Sequence, residues 1–86
     1  MARYRITVKS SVVKALQELP ADVRSRVSRR IDSLAEDPRP RGTEKLAGAD
    51  DLYRVRIGAY RLIYQVRDEE LVVLLLRLGH RREIYR

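Results

Sequence analysis

The chain has 86 residues, of which 44% are hydrophobic and whose five aromatics are all Tyr, so one domain with a small aliphatic core is expected. Cysteine is absent, which excludes disulfide staples and thiolate-based zinc sites. Lys and Arg number 19 against 12 Asp and Glu, a formal net charge of +7; the excess runs through both halves of the sequence, so it belongs to the folded body and points to a polyanion, nucleic acid first.

The opening Met-Ala-Arg-Tyr-Arg lacks the apolar stretch of a signal peptide, and the longest apolar run, Leu71 to Leu76, is far too short to span a bilayer, so a cytoplasmic protein with no membrane role is expected. Arg3 to Val8 alternates polar and apolar residues, with Tyr4, Ile6 and Val8 on one face of a half-buried strand. Ser10 or Ser11 is placed to cap the helix that follows. That helix carries Val12, Val13, Leu16 and Leu19 at helical spacing and stops before Pro20, a residue suited to the first turn of the next helix. The second helix is expected to run to about Asp37 on a stripe of Val23, Val27, Ile31 and Leu34. Its arginines Arg24, Arg26, Arg29 and Arg30 lie off that stripe, facing solvent or a partner.

Pro38-Arg39-Pro40-Arg41-Gly42 breaks the helix, and residues 38–50 read as one long, mobile connection. Strands over Leu52 to Ile57 and Tyr60 to Val66 flank Gly58-Ala59, and Leu71 to Leu78 follows Asp68-Glu69, giving two successive hairpins. The fold class is therefore α+β: two antiparallel N-terminal helices on one face of a small, mainly antiparallel four-stranded sheet, in the order β-α-α-β-β-β, as a single domain over residues 1–86.

A two-residue turn at Gly58-Ala59 fixes the pairing of the first hairpin. Ile57 then opposes Tyr60, Arg56 opposes Arg61, Val55 opposes Leu62, Arg54 opposes Ile63 and Tyr53 opposes Tyr64. The apolar and aromatic set must face the helices, so Arg54, Arg56 and Arg61 all project from the other side. Like charges placed opposite each other destabilise a sheet, and a site that breaks a local rule is where function is expected. Any one of these arginines alone reads as solvated surface; the cross-strand cluster reads as an anion site. The last strand is apolar on both faces, which calls for a central position and a cover for its outer face. Tyr4, Tyr53, Tyr60 and Tyr64 fall on helix-facing positions and read as core.

Three stretches, Leu46-Ala47-Gly48 with Asp51-Leu52-Tyr53-Arg54-Val55-Arg56, then Tyr60-Arg61-Leu62-Ile63-Tyr64-Gln65-Val66, then Gly79-His80-Arg81-Arg82-Glu83-Ile84-Tyr85, resemble the RelE/ParE toxin superfamily, and specifically its ribonuclease branch. The resemblance covers nearly the whole chain. It implies a type II toxin that cuts messenger RNA on the ribosome, without a metal or other cofactor, and is held inactive by an acidic, RelB-like antitoxin. By position, it implies an active site of Arg54, Arg56, Arg61, Arg81 and Tyr85. Arg54 and Arg56 stand where Lys is common in that branch, and Arg does not give up its proton at physiological pH, so neither is a general base.

The implied reaction turns the RNA's 2′-hydroxyl onto the adjacent phosphate, leaving a 2′,3′-cyclic phosphate and a 5′-hydroxyl. Arg61 and Arg81 would meet the charge that grows on the phosphoryl oxygens. Tyr85 would stack on a base or take part in proton transfer; Arg54 and Arg56 would bind the phosphate. His80 and Glu83 are outsiders for acid–base work. The helix row of Arg24, Arg26, Arg29 and Arg30 reads equally as a solvated face or as contacts to ribosomal RNA phosphates. Two other functions stay open: a gyrase-directed toxin of the same fold, and a basic nucleic-acid-binding module without catalysis.

Overall fold

In a computed structural model, residues 3–48 and 50–80 are described. The elements run β1 (Arg5–Val8), α1 (Ser10–Gln17), α2 (Ala21–Leu34), β2 (Glu44–Lys45), β3 (Leu52–Ile57), β4 (Tyr60–Arg67) and β5 (Val72–His80). The strands form one sheet in the order β1-β5-β4-β3-β2. β1 joins β5 in parallel, and every other pairing is antiparallel.

The α+β architecture is as expected, with one correction: the sheet has five strands, because Glu44 and Lys45 pair with Arg54 and Tyr53. Glu and Lys are poor strand formers, so this short strand is set by its neighbour and carries no signal of its own. It also anchors the connection that the sequence presents as mobile. Pro38 is buried there, its carbonyl accepting a 2.8 Å hydrogen bond from the Tyr64 hydroxyl.

Local signals held unevenly. The β3–β4 register is the one that Gly58-Ala59 dictates, from Ile57 opposite Tyr60 to Tyr53 opposite Tyr64, and Gly58 has φ +60° as a tight hairpin turn requires. The helix caps differ from expectation. Lys9 is the N-cap of α1 and offers no side-chain hydrogen bond, while Ser10 is already helical. Pro20 takes the N-cap of α2, and that helix ends at Leu34, short of Asp37. Ala35 is buried beyond it, and its carbonyl accepts a 2.7 Å bond from the Tyr4 amide, which turns the chain onto the sheet.

The core joins Val12 and Leu19 of α1 and Val27, Ile31 and Leu34 of α2 to Val55, Ile57, Leu62, Tyr64, Val66, Val73, Leu75 and Leu78. Full burial of side chains such as Leu34, Leu62 and Leu75 stabilises by about 1.5–3 kcal/mol each. Val13 faces outward instead, 41% exposed. Of the tyrosines read as core, Tyr64 is completely buried, and Tyr4, Tyr53 and Tyr60 pack against the cluster while partly exposed. β5 lies between β1 and β4, the central position its apolar run demands. No helix among the described residues is long and apolar enough to cross a membrane.

Candidate functional site

Arg54, Arg56 and Arg61 reach their positions through the pleat of one hairpin. Arg56 and Arg61 are direct cross-strand partners, and Arg54 sits two residues before Arg56 on the same face. On its other flank Arg61 pairs with Gly79 of β5. That glycine adds no side chain beside Arg61.

A cavity of about 470 Å³ lies over this cluster, lined by Arg54, Arg56 and Arg61 together with Arg30, Gly42, Thr43 and Glu44. The three sheet arginines expected to converge do so. Arg61 is only 5% exposed, the one buried charged side chain among the described residues; a guanidinium so placed favours an anion close by.

Two residues of the lining were not legible as part of it. Arg30 enters from α2, and its Nε is buried with no hydrogen-bond partner among the described residues. Its place in a helical row of arginines gave no hint that it, alone of that row, would also line the sheet pocket. Glu44 enters through β2, and its carboxylate accepts a 2.7 Å bond from Arg54. The Arg54 hydrogen bond, then its charge, with smaller help from Arg61 and Arg56, holds Glu44 below the ordinary carboxylate range. Because the Glu44 side chain is 67% exposed, the pair is of the exchangeable surface kind, worth little on its own. A phosphate can replace that carboxylate on Arg54 with similar geometry and more charge.

The remaining arginines of the helical row divide. Arg26 and Arg29, with Arg30, line a second cavity against the β3–β4 turn; Arg24 is exposed and lines neither. His80 ends β5 half-buried, its ring edge-on to Tyr60 at 5.6 Å between centroids and away from the arginine pocket. The expected site residues Arg81 and Tyr85, and the outsider Glu83, lie outside the described residues.

A separate cluster holds the loop that carries Gly42, Thr43 and Glu44. Asp68 accepts from the two terminal Arg39 guanidinium nitrogens, at 3.2 and 2.7 Å, and from the Tyr4 hydroxyl at 2.6 Å. Arg39 also donates from Nε to the Tyr53 hydroxyl at 2.9 Å, with its guanidinium carbon 5.1 Å from that ring's centre. These bonds push the Asp68 carboxyl down and the Arg39 guanidinium up. The cluster ties the loop to Tyr4 just before β1, to β3 and to the β4–β5 turn, and so helps fix one wall of the pocket.

Comparisons with known proteins identify the family and the fold. Residues 4–85 match the family model described as ParE toxin of type II toxin-antitoxin system, parDE. The chain is 31% identical to the mRNA interferase toxin RelE of Escherichia coli, with 95% of this chain and 90% of that protein covered. Among solved structures it resembles an archaeal RelE-RelB complex from Pyrococcus horikoshii at 40% identity and a TM-score of 0.84, covering 96% of this chain and 99% of that one. The isolated Escherichia coli RelE toxin aligns at 31% identity and a TM-score of 0.79, over 95% and 90% of the two chains.

Proposed function

The chain belongs to the RelE/ParE superfamily of type II toxin-antitoxin toxins, and from that premise we propose that it is a ribosome-dependent endoribonuclease that cuts messenger RNA. The observation carrying this reading is the single open pocket bounded by Arg30, Arg54, Arg56 and Arg61. Four permanent cations around one volume suit a polyanion's backbone and have no use in stability alone. The similarity to a protein named as an mRNA interferase supports the choice of RNA over other anions.

In the proposed reaction the 2′-oxygen attacks the adjacent phosphorus, the bond to the 5′-oxygen breaks, and a 2′,3′-cyclic phosphate and a 5′-hydroxyl result. Negative charge grows on the phosphoryl oxygens during the attack, and Arg61, buried and preorganised, is the donor that meets it. Arg54 and Arg56 hold the phosphate, Arg54 by exchanging Glu44 for it. Released from Arg54, Glu44 loses the chief cause of its lowered pKa and accepts the 2′-hydroxyl proton, a task neither arginine can perform. Arg81 completes the charge clamp, and Tyr85 orients the base or returns a proton to the 5′-oxygen, as the family resemblance implies. The reaction takes its charge stabilisation from the protein without a metal.

The proposed setting is the cytoplasm, with the exposed arginines of α2 adding salt-sensitive affinity for RNA. The proposed inhibitor is an acidic, RelB-like antitoxin that neutralises the arginine face and folds as it binds; solved relatives include RelE-RelB complexes. Primer extension on ribosomes programmed with messenger RNA tests the function. The reading predicts new, ribosome-dependent 3′ ends with native protein, undiminished by EDTA and strongly reduced with Arg61→Ala. No cuts, together with inhibition of DNA supercoiling, would instead make the chain a gyrase-directed toxin.

A further inference from the structure

Two cavities of the molecule share a wall. The second, of about 400 Å³, is lined by Arg26, Arg29, Arg30 and Ser33 of α2 and by Arg56, Ile57 and Gly58 at the β3–β4 turn. Arg30 and Arg56 line both this groove and the pocket already described. On α2, positions 26, 29, 30 and 33 follow the spacing that builds one continuous helical stripe, so the arginines form a row aimed at the turn.

Three features make the groove more than scattered surface charge. It has four guanidiniums in its lining and no carboxylate, an arrangement that repels itself until an anion enters. The Arg30 Nε on the shared wall is buried and lacks an acceptor among the described residues. Gly58 allows the close approach: a Cβ there would meet the Arg26 guanidinium at 3.3 Å, so the residue that makes the turn also leaves room for the arginine against it.

We propose that this groove is a second phosphate subsite, which holds the phosphate next to the reacting one on the same RNA strand. The two cavities have Arg30 and Arg56 in common in their linings, so a strand held in one runs past side chains that also bound the other. The strand therefore crosses the shared wall, with the scissile phosphate on the Arg61 side and its neighbour between α2 and the β3–β4 turn. The choice of RNA as the anion rests on the function proposed above. Arg26 and Arg29 act here on the substrate strand, whereas Arg24, outside the groove, keeps no part in it.

The test uses short RNAs with 2′-O-methyl sugars, which lack the nucleophile and cannot be cut. A dinucleotide and a tetranucleotide are titrated into the full chain at low salt, followed by NMR of the arginine Nε–H groups, and the tetranucleotide is repeated over a salt series. In the native protein the longer RNA should bind more tightly by on the order of tenfold, as expected for a charge-assisted phosphate contact. Its log K against log salt should be steeper by about 0.7 for each added phosphate engaged.

The double variant Arg26→Ala, Arg29→Ala should bind the dinucleotide like the native chain and lose the gain with length and the added salt slope. A native chain with no gain from length overturns the subsite. So does a double variant that keeps the full gain, and if its affinity for ribosomes alone falls, the groove belongs to ribosomal RNA instead. Because these RNAs report binding without cleavage, a native chain that shows the length effect but never cuts messenger RNA retains the subsite and loses the nuclease assignment.

Discussion

Arg56 and Arg61 face each other directly across β3 and β4, two permanent positive charges at a cross-strand position where opposite charges or apolar groups stabilise a sheet. Their repulsion is tolerated because a strong aliphatic core lies on the other face, and it leaves the pair ready to accept an anion. The same relationship should expose a trade between stability and activity.

Replacing Arg56 with Thr removes the like-charged pair and adds a β-branched residue. The variant should gain a few tenths to about 1 kcal/mol and melt at a higher temperature, while its cleavage of ribosome-bound messenger RNA declines. Thermal denaturation beside a cleavage assay checks both signs. A variant that melts lower would mean that Arg56 is held by stabilising contacts and not strained.

Glu44→Gln should act in opposite directions on binding and chemistry. Neutralising Glu44 removes an anion that competes with phosphate for Arg54, so affinity for a short uncleavable RNA should rise several-fold at low salt and the gain should shrink as salt screens the site. Cleavage should slow by about 10²–10⁴-fold, the usual loss with a general base, and the acidic limb of its pH profile should disappear. Equal changes in binding and rate would leave Glu44 as a mere occupant of the pocket.

The buried Tyr64 hydroxyl donates to the Pro38 carbonyl at 2.8 Å. Tyr64→Phe strands that acceptor, which should cost about 1–3 kcal/mol and lower the melting midpoint by roughly 4–8 °C for each kcal/mol in a domain of this size. An unchanged midpoint would show that the loop is held without this bond.

The Asp68 cluster gives a pH prediction with a definite sign. Bonds from Arg39 and then Tyr4 lower the folded-state pKa of Asp68 from its ordinary 3.8, so the unfolded chain takes up that proton first as acid is added. The stability contributed by Asp68 is therefore full above the ordinary value and is lost as pH falls through the lowered one. Tyr4, raised by its bond to Asp68, contributes below pH 10 and loses that contribution only in stronger alkali. The difference in melting midpoint between the native chain and Asp68→Asn should be flat through neutral pH and close in strong acid. A difference that widened in acid would reverse the assigned cause.

Local signals carried the sheet and most of the arginine face. Gly58-Ala59 fixed the hairpin register, and the period-two pattern of Arg54, Arg56 and Arg61 placed them together; the unbroken apolar run of β5 required its central place. The missing parts depend on long-range contact. β2 consists of two residues with little strand preference, brought to Arg54 and Tyr53 by the fold around them. Glu44 enters the pocket only through that pairing. Arg30 shares its spacing with the other arginines of α2, and nothing short of the packing of α2 against the sheet distinguishes it. Arg39 and Asp68 are 29 residues apart, a separation at which no local pattern signals a contact.

Single-turnover cleavage of ribosome-bound messenger RNA by the native chain, Arg61→Lys and Arg61→Ala, with ribosome binding measured in parallel, bears most directly on the claim that converging guanidiniums stabilise the reacting phosphate. Loss of this donor should slow Arg61→Ala by about 10²–10³-fold, with binding nearly unchanged and Arg61→Lys between the two, since Lys keeps the charge without the fork. A native rate in Arg61→Ala, or a loss found only in ribosome binding, would contradict it.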